Sequence, residues 1–284
     1  MTVLVTGSRG RVASVLLELL GTAGIEARAA SKHPGELSPP PGVGTVRCDL
    51  GDPATFDAAL DGVDSVFLYA EPRHAETFAD RARAAGVGHV VLLSSSSVLA
   101  PDAERNAVAA SHLTAERALS AAAATGAFET TLLRPGTFAT NALQWARPLR
   151  AGHGPALPVP HAYGDPIHER DLAEAAFAVL TEPRLRGTAH HLTGPESLTF
   201  VEQLAVLAGV MGRPAPHTVT TPERWKESVA AFMPGVFADA LLSHWSTHDG
   251  RPAPLTRTVE ELTGHPARTF AEWATDHREA FPSE

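Results

Sequence analysis

Two side chains able to transfer protons lie four residues apart in an alanine-rich segment: His112 and Glu116, in Ser111-His112-Leu113-Thr114-Ala115-Glu116. Residues at this spacing share one face of a helix, where a carboxylate can orient an imidazole and favour its protonated form. The pair could therefore donate a proton to a substrate oxygen. The alternative is that the pair donates no proton and only hydrogen-bonds a cofactor or its neighbours on the helix.

A glycine turn near the start of the chain offers a second kind of chemistry, the binding of phosphate groups. It reads Thr6-Gly7-Ser8-Arg9-Gly10-Arg11-Val12-Ala13 and separates a short apolar run from a helical pattern. The first glycine permits a tight turn and the second lets the backbone approach a pyrophosphate, which the positive end of the following helix attracts. The turn predicts a dinucleotide site formed by Gly7, Ser8, Arg9, Gly10, Arg11 and Val12; the alternative is a tight turn that binds nothing.

The segment after the second predicted strand indicates which dinucleotide would bind. NAD sites commonly place an acidic residue there to accept from the ribose hydroxyl. Here the sequence reads Arg28-Ala29-Ala30-Ser31-Lys32-His33-Pro34, with no acid. Ser31 and Lys32 would suit a 2′-phosphate, so NADP is favoured over NAD, although Lys32 could also be an ordinary solvated charge.

Short aliphatic runs alternate with helical patterns along the first half of the chain, which is typical of βαβ units and a parallel sheet. The pattern predicts an α/β fold, a doubly wound Rossmann sheet. Predicted strands cover residues 3–5, 25–30, 45–48, 65–69, 89–93 and 129–133, and predicted helices cover 12–20, 52–60, 75–85 and 103–124.

The sequence divides into two regions. Residues 1–138 are expected to form the dinucleotide-binding domain, with 165–182 packing back on it and Asp171 capping a helix. Residues 139–164 and 183–284 are expected to form a smaller, mostly helical region on the substrate side, with one more strand at 188–192. In that region the aromatic residues could line an apolar pocket or simply form core; they are Trp225, Phe232, Phe237 and Trp245.

Composition excludes several classes of protein. The formal net charge of −9 disfavours nonspecific attraction to nucleic acid or anionic membrane. The single Cys48 excludes an internal disulfide and a multi-cysteine zinc site, and no metal is expected. No apolar stretch approaches the ~20 residues of a membrane span. We expect a soluble, cytoplasmic monomer or homodimer that binds a small-molecule substrate.

Several further motifs occur in a characteristic order: Cys48-Asp49-Leu50, Leu93-Ser94-Ser95-Ser96, Leu133-Arg134-Pro135-Gly136-Thr137-Phe138 with Asn141, and Arg170-Asp171-Leu172-Ala173. With the glycine turn and the Arg28–Pro34 segment, they resemble the atypical short-chain dehydrogenase/reductases of the NmrA-like, NAD(P)H-quinone-oxidoreductase-like family. The resemblance covers roughly residues 1–200.

The resemblance implies positions around a bound dinucleotide. Asp49 and Leu50 would flank the adenine, although Asp49 could instead only cap a turn. Tyr69, Ala70 and Glu71 would pass near the pyrophosphate and ribose. The nicotinamide half would be lined by Ser94 and Ser95 and covered by Pro135, Gly136, Thr137 and Phe138. Ser96 would take the place of the substrate-facing serine, although four consecutive serines leave the register open.

The wider superfamily reduces carbonyls with a Tyr-x-x-x-Lys pair, which this chain lacks. Its two tyrosines, Tyr69 and Tyr163, are followed four residues later by Arg73 and Ile167. We expect an NADPH-dependent oxidoreductase that transfers hydride to a small apolar acceptor, such as a quinone, enone or ketone. The alternatives are a nonenzymatic NAD(P) sensor of NmrA type and a redox-neutral isomerase or dehydratase.

Overall fold

A seven-stranded parallel sheet runs through the centre of the computed structural model, which describes residues 1–281. Its strands are β1 (Thr2–Val5), β2 (Glu26–Ser31), β3 (Gly44–Arg47), β4 (Ser65–Tyr69), β5 (His89–Leu93), β6 (Glu129–Pro135) and β9 (Ala189–Leu192). They lie in the order β3-β2-β1-β4-β5-β6-β9. The order reverses between β1 and β4, as in a doubly wound sheet, so the predicted Rossmann fold is confirmed.

Four short strands form two separate pairs away from the main sheet. They are β7 (Ala156–Leu157), β8 (Tyr163–Gly164), β10 (Leu198–Thr199) and β11 (Thr218–Val219). Strand β8 pairs antiparallel with β10, and β7 pairs parallel with β11.

Eleven α-helices occur in the described part of the chain: α1 (Arg11–Thr22), α2 (Phe56–Leu60), α3 (Ala75–Ala84), α4 (Ala107–Ala124), α5 (Ala146–Arg150), α6 (Glu169–Thr181), α7 (Phe200–Met211), α8 (Pro222–Val229), α9 (Gly235–Thr247), α10 (Thr258–Thr263) and α11 (Phe270–Asp276). Each helix of the first half follows a strand, as the alternating pattern predicts. None of the helices in residues 1–281 has the length and apolarity that a bilayer crossing requires.

Three helix starts differ from the prediction. The helix predicted over residues 52–60 begins as the 3₁₀ turn Pro53–Thr55, and only Phe56–Leu60 is α-helical. The other two differ because other side chains cap them. The helix predicted from residue 103 begins instead at Ala107, because the side chain of Asn106 accepts from the amides of Val108 and Ala109. Asp171 is not an N-cap: α6 begins two residues earlier, and the side chain of His168 caps it.

Helices cover both faces of the sheet, which explains why its strands are apolar on both sides. On one face, α1 and α6 pack together over Val3, Val5 and Val91. On the other, α2, α3 and α4 enclose Leu4, Val66 and Leu92, among other residues. The central strands β1, β4 and β5 are therefore buried almost throughout, whereas the edge strand β3 is largely exposed.

The two sequence regions interleave in space. Strand β9, within the 183–284 range, is the last strand of the main sheet, and α10 packs against α6. A separate cluster surrounds Trp145, Phe200 and Trp273. The tail from residue 200 is mostly helical, as its sequence indicates.

Candidate active site

The carboxyl edge of the sheet gathers the loops that the sequence singles out. The glycine turn follows β1, Lys32 follows β2, Asp49 and Leu50 follow β3, and Ala70 and Glu71 follow β4. The serine run follows β5, and Gly136–Phe138 follows β6. Because these strands are parallel, their carboxyl ends meet at one edge, where ligands of doubly wound sheets bind.

The glycine turn packs closely against the ring of Tyr69. Gly7 has a φ of +63°, and a Cβ placed there would come within 2.6 Å of the Tyr69 ring. A Cβ on Gly10 would lie 2.9 Å from the Tyr69 hydroxyl oxygen. Helix α1 begins at this point with no side-chain cap, so its positive end is available to an anion. Burial raises the pKa of Tyr69, which keeps its phenol protonated as a donor.

Ser8 shapes this turn from within. Its hydroxyl donates to the carbonyl of Val5 at 2.7 Å and accepts from the amide of Ala30 at 3.0 Å. Its own amide donates to the carbonyl of Ala30 at 3.2 Å. Ser8 therefore ties the ends of β1 and β2 together, and its amide and hydroxyl are both engaged within the protein.

Two exposed cations stand beside the end of β2. The Lys32 ammonium lies 3.6 Å from the carboxylate of Asp49, and the Arg9 guanidinium lies 3.1 Å from that of Glu36. Ser31, the last residue of β2, is buried and accepts a hydrogen bond from the amide of His33. Lys32 and Arg9 thus place positive charge where the sequence predicts a 2′-phosphate.

Asp49 caps a turn, the role that the sequence analysis gives as the alternative to binding adenine. Its Oδ1 accepts from the amide of Gly51 at 3.0 Å, and this hydrogen bond lowers the pKa of the carboxyl. Its Oδ2 faces Lys32. Leu50 is half-buried against the core beneath it. Glu71 pairs with Arg73 at 3.0 Å.

Glu116 does not hydrogen-bond His112, contrary to the prediction from their spacing. Its carboxylate instead accepts two hydrogen bonds from Arg134, at 2.9 and 2.6 Å, and one from the Ser94 hydroxyl at 2.6 Å. Glu116 and Ser94 are both buried. This Ser94–Glu116–Arg134 network joins α4 to the ends of β5 and β6, and the sequence does not reveal the role of Arg134 in it.

His112 lies one helical turn before Glu116 on α4, about 6 Å along the helix axis. Since Glu116 is level with the end of β5, His112 stands beyond the carboxyl edge of the sheet. Its Nδ1 is buried without a partner among the described residues. Burial lowers the pKa of His112, and the Glu116 charge only partly opposes this effect. The direction of this shift favours the neutral imidazole, whereas the sequence spacing predicts the protonated form.

The remaining serines have different surroundings. The Ser95 hydroxyl accepts from the amide of Ser97 at 3.2 Å and from its hydroxyl at 2.9 Å, so it caps the short 3₁₀ helix Ser96–Leu99. Ser96 is half-buried, and no hydrogen bond of its hydroxyl occurs within residues 1–281. It is thus the serine of the run whose hydroxyl can serve a ligand.

Asp165 is a site residue that the sequence analysis misses. Its Oδ1 accepts from the amide of Thr137 at 2.8 Å, and burial raises its pKa. A Cβ on Gly136 would overlap its carboxylate, and a Cβ on Gly194 would overlap the carbonyl of Pro166. The absence of side chains at Gly136 and Gly194 therefore leaves room for the Asp165 carboxylate, which hydrogen-bonds the segment after β6.

A second cluster of charged groups joins α6 to the segment between α10 and α11. Asp171, Glu174 and His265 are close enough together to hold a cation. However, the Arg268 guanidinium donates to both Asp171 and Glu174 and supplies the positive charge there. These ion pairs hold the segment that carries His265 and Arg268 against α6.

Comparison with known proteins agrees with this geometry. A family model described as NAD(P)H-binding matches residues 7–183, which include the glycine turn from Gly7 onward and the segment after β6. The chain belongs to this NAD(P)H-binding family. It is an NAD(P)H-dependent oxidoreductase of the atypical short-chain dehydrogenase/reductase type.

Two relatives match over essentially their whole length. The (4-alkanoyl-5-oxo-2,5-dihydrofuran-3-yl)methyl phosphate reductase of Streptomyces griseus is 37% identical, with 99% of this chain and 100% of the relative covered. The NAD(P)H azoreductase of Xenophilus azovorans is 32% identical, with 98% and 99% covered. Among solved structures, the NADPH-dependent quinone oxidoreductase QOR2 of Escherichia coli aligns with a TM-score of 0.78 at 23% identity, over 97% of this chain and 99% of that one. This last likeness shows a shared fold.

Proposed function

We propose that this oxidoreductase uses NADPH to reduce a small acceptor whose carbonyl is conjugated, an enone or a quinone. The observation that carries the proposal is His112: a half-buried imidazole with an unpartnered Nδ1, one turn beyond the sheet edge where the cofactor segments converge. A bound NADPH supplies a hydride. The chain's own residues then have to position the acceptor and stabilise the charge that develops on its oxygen.

The glycine turn, the α1 terminus and Tyr69 would hold the diphosphate. Lys32 and Arg9 would meet the 2′-phosphate, and Gly136–Phe138, held by Asp165, would cover the nicotinamide ring. These assignments rest on the uncapped start of α1 behind the glycine turn and on the exposed cations at the end of β2.

Neutral His112 is suited to donate a hydrogen bond to the acceptor's oxygen. Orphaned buried N–H groups are rarer than orphaned acceptors, so the neutral ring keeps its hydrogen on Nε2 rather than on the buried Nδ1. Nε2–H is then the donor left for a ligand, and the Ser96 hydroxyl, in the segment after β5, could donate as well. The final proton comes from water.

The missing Tyr-x-x-x-Lys pair favours conjugated acceptors over simple ketones. Hydride addition to an enone or quinone gives a delocalised anion, whereas addition to a simple ketone gives a localised, strongly basic alkoxide. A hydrogen bond from a neutral imidazole can stabilise the first kind of anion, but the second needs a strong general acid. The names of the S. griseus, X. azovorans and E. coli proteins support reduction of conjugated acceptors.

The proposal is tested by following NADPH oxidation with a panel of quinones, enones, azo dyes and simple ketones. We expect turnover with the conjugated acceptors and little or none with the ketones. Tight NADPH binding without turnover on any acceptor would favour a nonenzymatic sensor instead. Preference for simple ketones would contradict the argument from the missing pair.

Lys32→Ala is expected to raise the Kd of NADPH by ~10-fold and that of NADH by less than ~2-fold, because only NADPH carries the 2′-phosphate. Fluorescence titration of both cofactors measures the two constants. Lys226→Ala is the matched control, since Lys226 is the only other lysine and pairs with Asp239 on α8 and α9. Equal weakening of NADPH and NADH by Lys32→Ala would exclude the phosphate role.

A further inference from the structure

The imidazole of His168 holds the first turn of α6. Its Nδ1 accepts a hydrogen bond from the amide of Arg170 at 3.1 Å, which satisfies one of the free N–H groups at the start of the helix. The same Nδ1 lies 3.2 Å from a carboxylate oxygen of Glu169. The other ring nitrogen, Nε2, lies 3.4 Å from a carboxylate oxygen of Asp276, the last residue of α11. The ring itself is buried.

These contacts of His168 cannot all form in one protonation state. A neutral ring with its hydrogen on Nε2 donates to Asp276 and uses the lone pair of Nδ1 to cap α6. A protonated ring carries a hydrogen on both nitrogens, so it donates to Glu169 and Asp276 and has no lone pair left for the amide of Arg170. Protonation of His168 therefore exchanges the helix cap for a second contact with a carboxylate.

The charges around His168 favour the protonated ring. Burial by itself lowers the pKa of His168, but the hydrogen bonds and charges of the neighbouring carboxylates raise it above the ordinary value of histidine. The exchange of protons therefore falls above about pH 6.5, in the physiological range. The titratable and charged groups of this cluster come from α6, from α11 and its end, and from the segment before α11; they are Glu169, Asp171, Arg268, Glu272, Asp276 and His277.

The start of α6 is continuous with the backbone that holds the segment after β6. The amide of Ile167 donates to the carbonyl of Thr137 at 2.8 Å, and the amide of Ala139 donates to the carbonyl of Ile167 at 2.9 Å. Two residues before Ile167, the carboxylate of Asp165 accepts from the amide of Thr137. Since His168 directly follows Ile167, a change in the first turn of α6 acts on the residues that fix this segment.

We propose that His168 is a pH-dependent positioning residue for the cofactor site. The inference rests on the proposed function, in which Gly136–Phe138 covers the nicotinamide ring, and it adds a regulation of that site by protons. With a neutral imidazole, α6 is capped and the covering segment is held in place. With a protonated imidazole, the cap is lost, the segment is held less firmly, and NADPH binds more weakly. The kcat at saturating NADPH does not depend on this exchange.

The test measures the Kd of NADPH by fluorescence titration between about pH 5.5 and 8.5. His168→Asn keeps a capping oxygen that does not titrate, whereas His168→Ala removes the cap at every pH. The wild-type Kd, divided by that of His168→Asn, should be close to one at the alkaline end and rise to ~3-fold at the acidic end. The same ratio for His168→Ala should be ~3-fold throughout. Because each ratio is taken at a single pH, the titration of the 2′-phosphate cancels.

Asp276→Asn separates proton exchange from a purely structural role of His168. The Asp276 side chain is 61% exposed and contacts Nε2, so its replacement removes a charge that favours the protonated ring and leaves the Nδ1 cap in place. In this variant the rise of the Kd ratio should move to lower pH, with the alkaline value unchanged. A wild-type ratio that stays level across the pH range, or an unchanged midpoint in Asp276→Asn, would overturn the inference.

Hydrogen exchange of the Arg170 amide reads the cap without any ligand. Protection of this amide, relative to His168→Asn, should fall ~5-fold from the alkaline to the acidic end. Neither measurement needs an acceptor, so a failure to reduce any acceptor would refute the reductase proposal and leave this inference standing. Loss of protection together with a level Kd ratio would show that the cap responds to protons without acting on the cofactor, and would overturn the inference alone.

Discussion

The substitution His112→Phe is expected to lower kcat by ~10²-fold while the Kd of NADPH stays nearly unchanged. The ring of similar size fills the half-buried position, but it carries no N–H to stabilise the oxygen of the acceptor. Since His112 lies on α4, away from the glycine turn and the end of β2, cofactor binding does not depend on it. Assays of NADPH oxidation with a conjugated acceptor measure kcat, and fluorescence titration measures the Kd of NADPH.

The substitution His112→Gln is the matched control, because the glutamine amide keeps an N–H donor at position 112. His112→Gln should recover part of the lost turnover. A kcat in His112→Phe equal to that of the wild type would remove His112 from the mechanism. Loss of NADPH affinity in the same proportion as kcat would instead make it a cofactor contact.

The pH profile of kcat follows from the lowered pKa of His112. As pH rises above that pKa, the imidazole becomes more fully neutral, so a neutral donor remains active. We therefore expect kcat to be level between about pH 6.5 and 8. A protonated donor would instead lose about tenfold per pH unit above its pKa, and such a slope, absent in His112→Gln, would contradict the neutral form.

Removing Arg134 is expected to destabilise the protein by about 3 kcal/mol, the second large effect. Arg134→Met leaves the Glu116 carboxylate buried with only the Ser94 hydroxyl as partner, and an uncompensated buried charge is costly. Urea unfolding at neutral pH measures the loss. The double variant Arg134→Met with Glu116→Gln should regain much of the stability, because the unpaired charge is gone.

Arg117→Met provides the control for this effect. Arg117 lies next to Glu116 on α4 and pairs with Glu104, but both side chains are exposed, so the loss should stay below about 1 kcal/mol. If Arg134→Met were no less stable than Arg117→Met, the Ser94–Glu116–Arg134 network would not support the edge of the sheet. Reduced turnover in the double variant, at restored stability, would show that the network also positions the serine run.

Sequence alone determined the sheet and the place of the cofactor loops. Runs such as residues 90–93 are buried on both faces, so they consist of valine and leucine alone, and turns mark their ends. Gly7 requires a positive φ, which a local pattern reveals. These features depend on residues near one another in the chain, and parallel strands then bring their loops to one edge.

Only the tertiary structure decided which groups pair at that edge. Spacing along a helix placed His112 near Glu116, but the carboxylate contacts Arg134 and Ser94, which lie 18 and 22 residues away in the sequence. The contact of Asp165 with Thr137, 28 residues apart, is likewise absent from any local pattern. A buried carboxylate takes the partner that best compensates its charge, and a permanently charged guanidinium brought close by packing does so better than a neutral imidazole on the same helix.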